Sequence, residues 1–531
     1  MKTTDARNQS EDTSLRRSAL STVIVMVSTF VSRLLGFLRI AVITAIFGGQ
    51  GQADVINAVF NVPNNLRKLM AEGALSSAFI PELSRTIVQA DPSHPERVDR
   101  PKRLVRNILT LQVLILVPVL VLSAIFSDQV VGVLLSFDNP ELQAQSADLF
   151  SWLIQYTLLI SISAVLMATL NAHQHFLLPA VTPILLSVSV VTALLVLSPR
   201  MGVFAMAVGV LVGGMAQILF QAPKFASLGY SFLPSFRFDT PEFRRVMKNW
   251  LPVVATASIF VVNQTIAMRF ASGLRPGSST ALANALVFWQ LPFGIFGASV
   301  TTVLFPRMSR QIAEHDTPGL RESMIYGLRY MIAFLLPSAV LLILLGGPVI
   351  SVALQRGLYG HRDTLFAAEV LNYYAIGLVS VGAYNFVQRL FYSWGDTRTP
   401  LVVTAVIVAL DIALSLVLKD VMGPAGLALA NSVSFSVGLV ALVLVSRKMV
   451  GGLNLLHLCV TGLKTIVSVM PAVLWILVLN AMFGNWWHSD SSFVNLGILS
   501  LYGFPALGLI GLMFFILRVE VVDIFLRRPK G

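Results

Sequence analysis

The sequence predicts an all-α polytopic membrane protein of about 14 transmembrane helices: two pseudo-symmetric six-helix lobes plus two C-terminal helices. Three observations carry this. The 531 residues are 56% hydrophobic and only 12% charged, about half the charge of an average soluble chain. Apolar runs of membrane-crossing length, roughly 20 residues, recur from end to end, and the mean hydropathy is +0.78. Two sequence patterns of the first half also return in the second at nearly the same offset. The apolar-out, polar-in alternation of a membrane β-barrel is absent.

Taken in order, residues 1–18 are polar and of mixed charge, and read as a cytoplasmic tail. No cleavable signal is expected there, because the apolar stretch that follows is too long and lacks a small-residue cleavage site. Fourteen apolar segments then fall at 19–48, 54–84, 104–135, 146–172, 176–198, 202–226, 246–272, 279–306, 324–355, 363–394, 399–418, 423–446, 458–483 and 494–518. The first six make an N-lobe, 19–226. A basic cytoplasmic linker, 227–245, leads to a C-lobe of six more, 246–448. Residues 449–531 hold the last two helices and a cytoplasmic tail. Segments 2 and 8 are the least apolar, as befits helices lining a cavity. AFIPELSRTI (78–87) resembles VLFPRMSRQI (303–312), an offset of 225, and LNAHQHFLLPAV (170–181) resembles FYSWGDTRTPLV (391–402), an offset of 221. Repeated halves with a site between them are a common transporter plan. Gly209-x-x-x-Gly213 in segment 6 is a close-packing motif.

The net charge of +12 might evoke nucleic acid, but its distribution excludes that class. Of the 38 Lys and Arg residues, 28 lie on one side of the segments, five in the opposite loops and five within segments. The positive-inside rule therefore puts both termini in the cytoplasm, which an even helix count requires. Cys459 is the only cysteine, so neither a disulfide framework nor a paired-cysteine metal site is expected. There is no Walker A loop and no H-E-x-x-H, so neither ATP hydrolysis nor that zinc chemistry is encoded.

The residues that stand out are charges inside apolar segments. A charge at the bilayer centre costs about 3 kcal/mol on insertion scales and is tolerated when it faces a cavity or a partner. Segment 1 carries Arg33 and Arg39, with Ser32, Gly36 and Arg39 on one helical face. Arg33 lies 14 residues into the segment, about 21 Å, far for snorkelling to the cytoplasmic face. Segment 2 carries Asp54, Arg67, Lys68 and Glu72. Lys68 and Glu72, at i and i+4, either pair with each other or face the cavity. Arginine's planar fork suits phosphate oxygens, so three arginines from two neighbouring helices would suit a diphosphate. Segment 7 carries Arg269, with Asn263 and Gln264; segment 8 carries Asn284 and Gln290. For the amides, interhelical hydrogen bonding is the plainer reading. Asp411, in the middle of segment 11, either couples to a cation or proton or pairs structurally.

The run SRLLGFLRIAVITAIFGGQGQADVINAVFNVPNNLRKLMAEGALSSAFIPELS, residues 32–84, resembles the N-terminal signature of the lipid II flippase family (MurJ/MviN). That family is a branch of the multidrug/oligosaccharidyl-lipid/polysaccharide exporter superfamily. VGGMAQILFQAP (212–223), LPFGIFGASVTTVLFPRMS (291–309) and FYSWGDTRTP (391–400) support the resemblance. It implies two lobes forming a V, with helices 13 and 14 edging a lipid groove. It implies a transporter rather than an enzyme, in the bacterial inner membrane. The cargo it implies is lipid II, the undecaprenyl-diphosphate-linked disaccharide pentapeptide, moved from inner to outer leaflet by alternating access. On this resemblance the substrate-binding residues are Ser32, Arg33, Arg39, Asp54, Arg67 and Glu72, with the arginines on the diphosphate. No cofactor or metal is expected; the coupling would be to a monovalent cation or the membrane potential, with Asp411 as the candidate. Membrane lipids are expected as partners and nucleic acid is not. A monomer is expected, with cell-wall synthesis machinery as the candidate associate.

Two departures from the family pattern are visible. Ile40 stands where an acid often follows the second arginine of segment 1. Val287 stands where a basic residue usually precedes the -P-x-G- turn at Pro292, and Gln290 replaces a nearby family glutamate. The alternatives are an exporter of another polyprenyl-linked glycan, or a cation-coupled drug exporter of the same superfamily, which would put acids rather than arginines in the first lobe. A membrane-embedded glycosyltransferase would need a larger external loop than the one carrying Asp128, Asp138 and Glu141.

Overall fold

The computed structural model describes residues 27–28, 30–67, 75–90, 93, 95–452, 455–483 and 491–519, and among these no strand occurs. Contacts divide the chain into two units. Unit 1 holds residues up to Ile43 together with Val55–Thr265, and unit 2 holds Thr44–Asp54 together with Ile266 onward.

Unit 1 begins with α1 (Phe30–Phe47), whose last turn belongs by contact to unit 2. It continues with α2 (Gln52–Arg67), α3 (Leu75–Val88), α4 (Pro95–Ile125), α5 (Ser127–Leu134), α6 (Pro140–Leu153), α7 (Tyr156–Ala172), α8 (Leu177–Met201) and α9 (Phe204–Ser227). Helix α10 (Pro241–Ser272) starts in unit 1 and ends in unit 2. Unit 2 continues with α11 (Ser278–Pro292), a π-helical turn (Phe293–Gly297), α12 (Ala298–Ala313), α13 (Thr317–Leu354), α14 (His361–Ile376), α15 (Leu378–Ser393), α16 (Arg398–Met422) and α17 (Pro424–Val450). It closes with α18 (Leu455–Phe483) and α19 (Ser492–Ile516).

Eleven of the described helical stretches are long and apolar enough to cross a membrane, or twelve if α14 and α15, bent by 46°, count as one span. The two remaining segments of the fourteen are α2 with α3, and α10. These carry polar and charged side chains such as Asn61, Asn64, Arg67, Arg245 and Asn263. Fourteen spans are consistent with this inventory. Outward-facing side chains such as Leu195, Val196, Val417, Leu474 and Phe504 are exposed, as expected where lipid replaces water as solvent.

The element order of the first six spans repeats in the next six. In each half the second span holds two helices, α2 and α3 against α11 and α12, the fourth holds α6 and α7 against α14 and α15, and a closing hairpin follows, α8–α9 against α16–α17. The hairpin turns are made by Gly202 (φ 54°, ψ −132°) and Gly423 (φ 61°, ψ −141°), a backbone conformation that L side chains rarely adopt. Their separation of 221 residues matches the sequence repeat.

Local causes for several elements are evident. The Asp316 side chain accepts from Gly319 N at 2.9 Å and caps α13. Asn139 caps α6, with Pro140 in the first turn. Pro292 cannot donate into the helical ladder, and the chain widens there into the π-helical turn rather than stopping. Helices α18 and α19 pack on α13 through Val469, Ala472, Ile476, Ile498, Ala506 and Ile510, with Ala333 and Leu345 of α13 in the same core.

Candidate functional site

Helix α1 delivers two arginines six residues apart. At 1.5 Å and 100° per residue they are about 9 Å apart along the axis and well over a quarter-turn apart around it. Their environments differ accordingly. Arg33 is exposed and has no ion-pair partner among the described residues. Arg39 is half-buried, and its guanidinium lies 5.3 Å from the centroid of the Phe60 ring on α2. Such a contact attracts the cation electrostatically without neutralising it. Arg67 of α2 and Tyr156 of α7 lie within electrostatic range of Arg39. The Arg67 Nε donates to Asn64 Oδ1 at 3.2 Å, one turn back, which steers the guanidinium. Asn65 Nδ2 donates to Asn61 Oδ1 at 2.7 Å.

So α1, α2 and α7 of unit 1 build a cationic site from Arg39 and Arg67, walled by Phe60 and Tyr156. Ser32, half-buried, and Arg33 stand further toward the start of α1. Arg39 and Arg67 carry like charge within electrostatic range of each other, and an anion bound between them relieves that repulsion. Two guanidiniums present several N–H donors in fixed forks, the geometry that oxyanions accept. Glu72 and Lys68 lie outside the described residues. The amides Asn61, Asn64 and Asn65 were not singled out in the sequence, although the density of amides in NVPNNLR was the available signal.

Asp54 has a different set of partners. It is 3% exposed, and its carboxylate accepts from Gly277 N (2.7 Å), Thr280 N (2.9 Å) and Thr280 Oγ1 (2.9 Å) at the start of α11. It also accepts from Gly51 N at 3.2 Å, at the start of its own helix. One carboxylate thus caps two helix N-termini, where backbone N–H groups lack intrahelical acceptors. The loop between α13 and α14 donates to the last turn of α1, from Leu358 N to Ala45 O at 3.0 Å. These bonds are why Thr44–Asp54 counts with unit 2.

In unit 2, Asp411 is 5% exposed in α16. Asn431 Nδ2 of α17 donates to it at 3.2 Å, and Ser415 Oγ at 3.5 Å. Among the described residues no group of three or more His, Cys, Asp or Glu is arranged to hold a metal. Asn284 of α11 donates to the Tyr359 hydroxyl, in the loop between α13 and α14, at 3.4 Å, a contact with a loop rather than the interhelical bond expected of it. Val287 and Arg269 are half-buried and Gln290 is exposed.

A second polar cluster within unit 1, which the sequence reading missed, ties the start of α10 and the linker before it to α3 and α4. Arg245 donates through Nε (2.9 Å) and Nη2 (2.7 Å) to Glu82 of α3. Arg100 of α4 pairs with Glu242 at 3.6 Å, and Asn107 Nδ2 donates to Arg237 O at 2.6 Å. His173, in the α7–α8 turn, is 2.8 Å from the Tyr230 hydroxyl. Desolvation lowers the His173 pKa below its ordinary value, with the neighbouring His175 a lesser cause.

Comparisons with known proteins agree with one another. A family model described as lipid II flippase MurJ matches residues 43–497. A probable lipid II flippase MurJ of Borreliella burgdorferi is 29% identical over 515 residues, covering 97% of this chain and 99% of the relative. One from Vibrio cholerae is 29% identical over 439 residues, covering 80% and 82%. Among solved structures, a lipid II flippase MurJ in an inward closed conformation aligns with TM-score 0.76 at 22% identity, over 95% of this chain and 100% of that one. An inward-facing multidrug resistance MATE transporter of the MOP superfamily aligns with TM-score 0.65 at 14% identity, over 80% and 98%. At these identities the structural matches speak to the fold.

Proposed function

The chain belongs to the lipid II flippase MurJ family, and from that premise we propose that Arg33, Arg39 and Arg67 bind the diphosphate of its polyprenyl-linked cargo. The protein is a transporter, not an enzyme, and its cargo is the peptidoglycan precursor lipid II. The observation that carries the arginine assignment is the approach of Arg39 and Arg67 within unit 1, with an aromatic wall and no carboxylate on Arg39 among the described residues. Cation–π contact keeps the guanidinium aligned while leaving its charge for a ligand.

Alternating access supplies the mechanism. The cargo diphosphate enters with the arginines facing one side, and a change in the arrangement of the lobes exposes it to the other. The arginines must hold the diphosphate loosely enough to release it, which favours a few exposed and half-buried cations over a closed cage. With 28 of 38 basic residues on one side, both termini lie in the cytoplasm and loading occurs from there. Asp411, held by Asn431 and Ser415, is the candidate coupling site to a monovalent cation or the membrane potential. The working unit is a monomer that associates with cell-wall synthesis machinery.

Arg39→Ala and Arg67→Ala are expected to abolish outer-leaflet exposure of lipid II in cells depleted of their own flippase, with the protein still inserted. Arg39→Lys should retain part of the activity, since it keeps the charge but loses the planar fork. Normal lipid II externalisation by both alanine variants would sink the arginine assignment.

A further inference from the structure

We propose that unit 2 carries a headgroup site for a phospholipid bearing a primary ammonium, in the pocket between α13, α14, α18 and α19. The pocket is a cavity of about 310 Å³, at the lower end of the range for small-ligand sites. Its mouth is apolar, with Ile343 and Leu365 exposed at 38% and 46%. Polar groups converge behind that mouth from three helices: Glu369 and Asn372 of α14, Asn480 of α18 and Tyr502 of α19. Aliphatic entry with polar convergence inside is the signature of a site for an amphiphile.

The polar groups are mainly acceptors. The Glu369 carboxylate is half exposed, and its ion pair is with Arg275 at 3.6 Å. A carboxylate offers about four lone-pair sites, so one guanidinium leaves acceptor capacity over. Assigned from its surroundings, with the nitrogen 3.2 Å from both Ile343 O and Ala368 O, the Asn372 amide donates to those two carbonyls and keeps its oxygen as an acceptor. Pro348 lines the pocket and has no N–H to give to the carbonyl of Leu344, which also lines it. Gly347 adds no side chain there. A ligand that brings several donors in a compact group fits this set. A primary ammonium has three N–H donors, whereas a trimethylated ammonium has none.

The second half of the headgroup has a partner as well. Arg275 stacks on Phe366, its guanidinium 3.8 Å from the ring centroid, which fixes it beside Glu369. A zwitterion places ammonium and phosphate a short distance apart, and the Glu369–Arg275 pair offers the complementary charges at a similar spacing. The depth is right for a headgroup site. Glu369 lies eight residues into α14 and Asn480 three residues from the end of α18, about 12 Å and 5 Å along those helices. Helices α13 and α18 end where α14 and α19 begin, so all four present this pocket at one face of the membrane. The leaflet it serves follows from the orientation proposed above, and on that reading it is the outer one.

The test is native mass spectrometry of the full chain titrated with phosphatidylethanolamine or phosphatidylcholine. Wild type should retain one phosphatidylethanolamine about tenfold more tightly than phosphatidylcholine, the value of one charge-assisted hydrogen bond. Glu369→Gln and Asn480→Leu should each erase that preference. Equal retention of the two lipids by wild type, a comparison that needs no variant to fold, would overturn the site; so would a preference that survives both substitutions. Labelling of Arg362→Cys with a membrane-impermeant reagent reads the leaflet separately. Reaction from the cytoplasmic side alone would overturn the orientation and leave the binding result standing.

Discussion

At the scale of single residues, burial and partner geometry separate side chains that look equivalent in sequence. Asp54 and Arg67 are both charged residues of one helix, α2. One caps two helices and the other stands beside Arg39. Removing the Asp54 carboxylate strands the N–H groups of Gly51, Gly277 and Thr280. At about 1–3 kcal/mol for each buried unsatisfied group, partly relieved by water, Asp54→Ala should lower the melting temperature far more than Ser32→Ala. Thermal unfolding in detergent measures this. His173 gives a pH prediction whose sign follows from its lowered pKa. The folded state holds the ring neutral, while the unfolded chain takes up a proton near the ordinary value of 6.5. The stabilisation is fully present above that value and is lost as pH falls below it, until the folded pKa is passed. His173→Gln should flatten this part of the stability–pH profile.

At the scale of elements, helix pairing depends on small residues placed where backbones meet. A Cβ added at Gly209 of α9 would lie 2.7 Å from Val190 Cα of α8, and one at Gly213 would lie 3.0 Å from Leu186 Cα. The packing motif read in the sequence is therefore the contact surface of the α8–α9 hairpin. Gly209→Leu should force the pair apart and cost about 1–3 kcal/mol, the range for overpacking a tight contact, with protease resistance of the inserted protein as the readout. The corresponding motif is not repeated in α17, where Gly438 instead faces Ile407 of α16 and Tyr384 of α15. The -P-x-G- turn at Pro292 was legible as an interruption. That it becomes a π-helical turn was not, because the local sequence specifies the missing donor and packing decides how the ladder closes around it.

At the scale of the whole molecule, the membrane is the solvent that organises everything else. Long apolar helices bury little of themselves within the protein, and basic loops collect on one side. That asymmetry predicts labelling of Arg362→Cys from outside intact cells and protection of Arg398→Cys, with Cys459 first replaced by alanine. The opposite pattern would invert the proposed topology. The element order of the first six spans recurs in the next six, with a hairpin closing each half. Their charge is not alike. The first carries Arg33, Arg39 and Arg67 inside its spans, whereas the second has Val287 at the expected basic position and keeps Asp411 on an amide and a hydroxyl. The cationic site proposed above draws on the first six spans alone.

The sequence by itself determined the membrane class, the recurrence of apolar segments along the chain and the anomalous arginines. Each of these is a local or additive property: hydropathy sums over about 20 residues, and a charge inside such a window is visible without knowing its neighbours. The tertiary structure alone decided the partners. Asp54 finds its donors 223 and 226 residues away, Glu82 finds Arg245 163 residues away, and Glu369 meets Arg275 across three helices and their connections. Hydropathy carries no information about such pairings. They are fixed by which helix faces come together and by the cost of leaving a buried polar group unmatched.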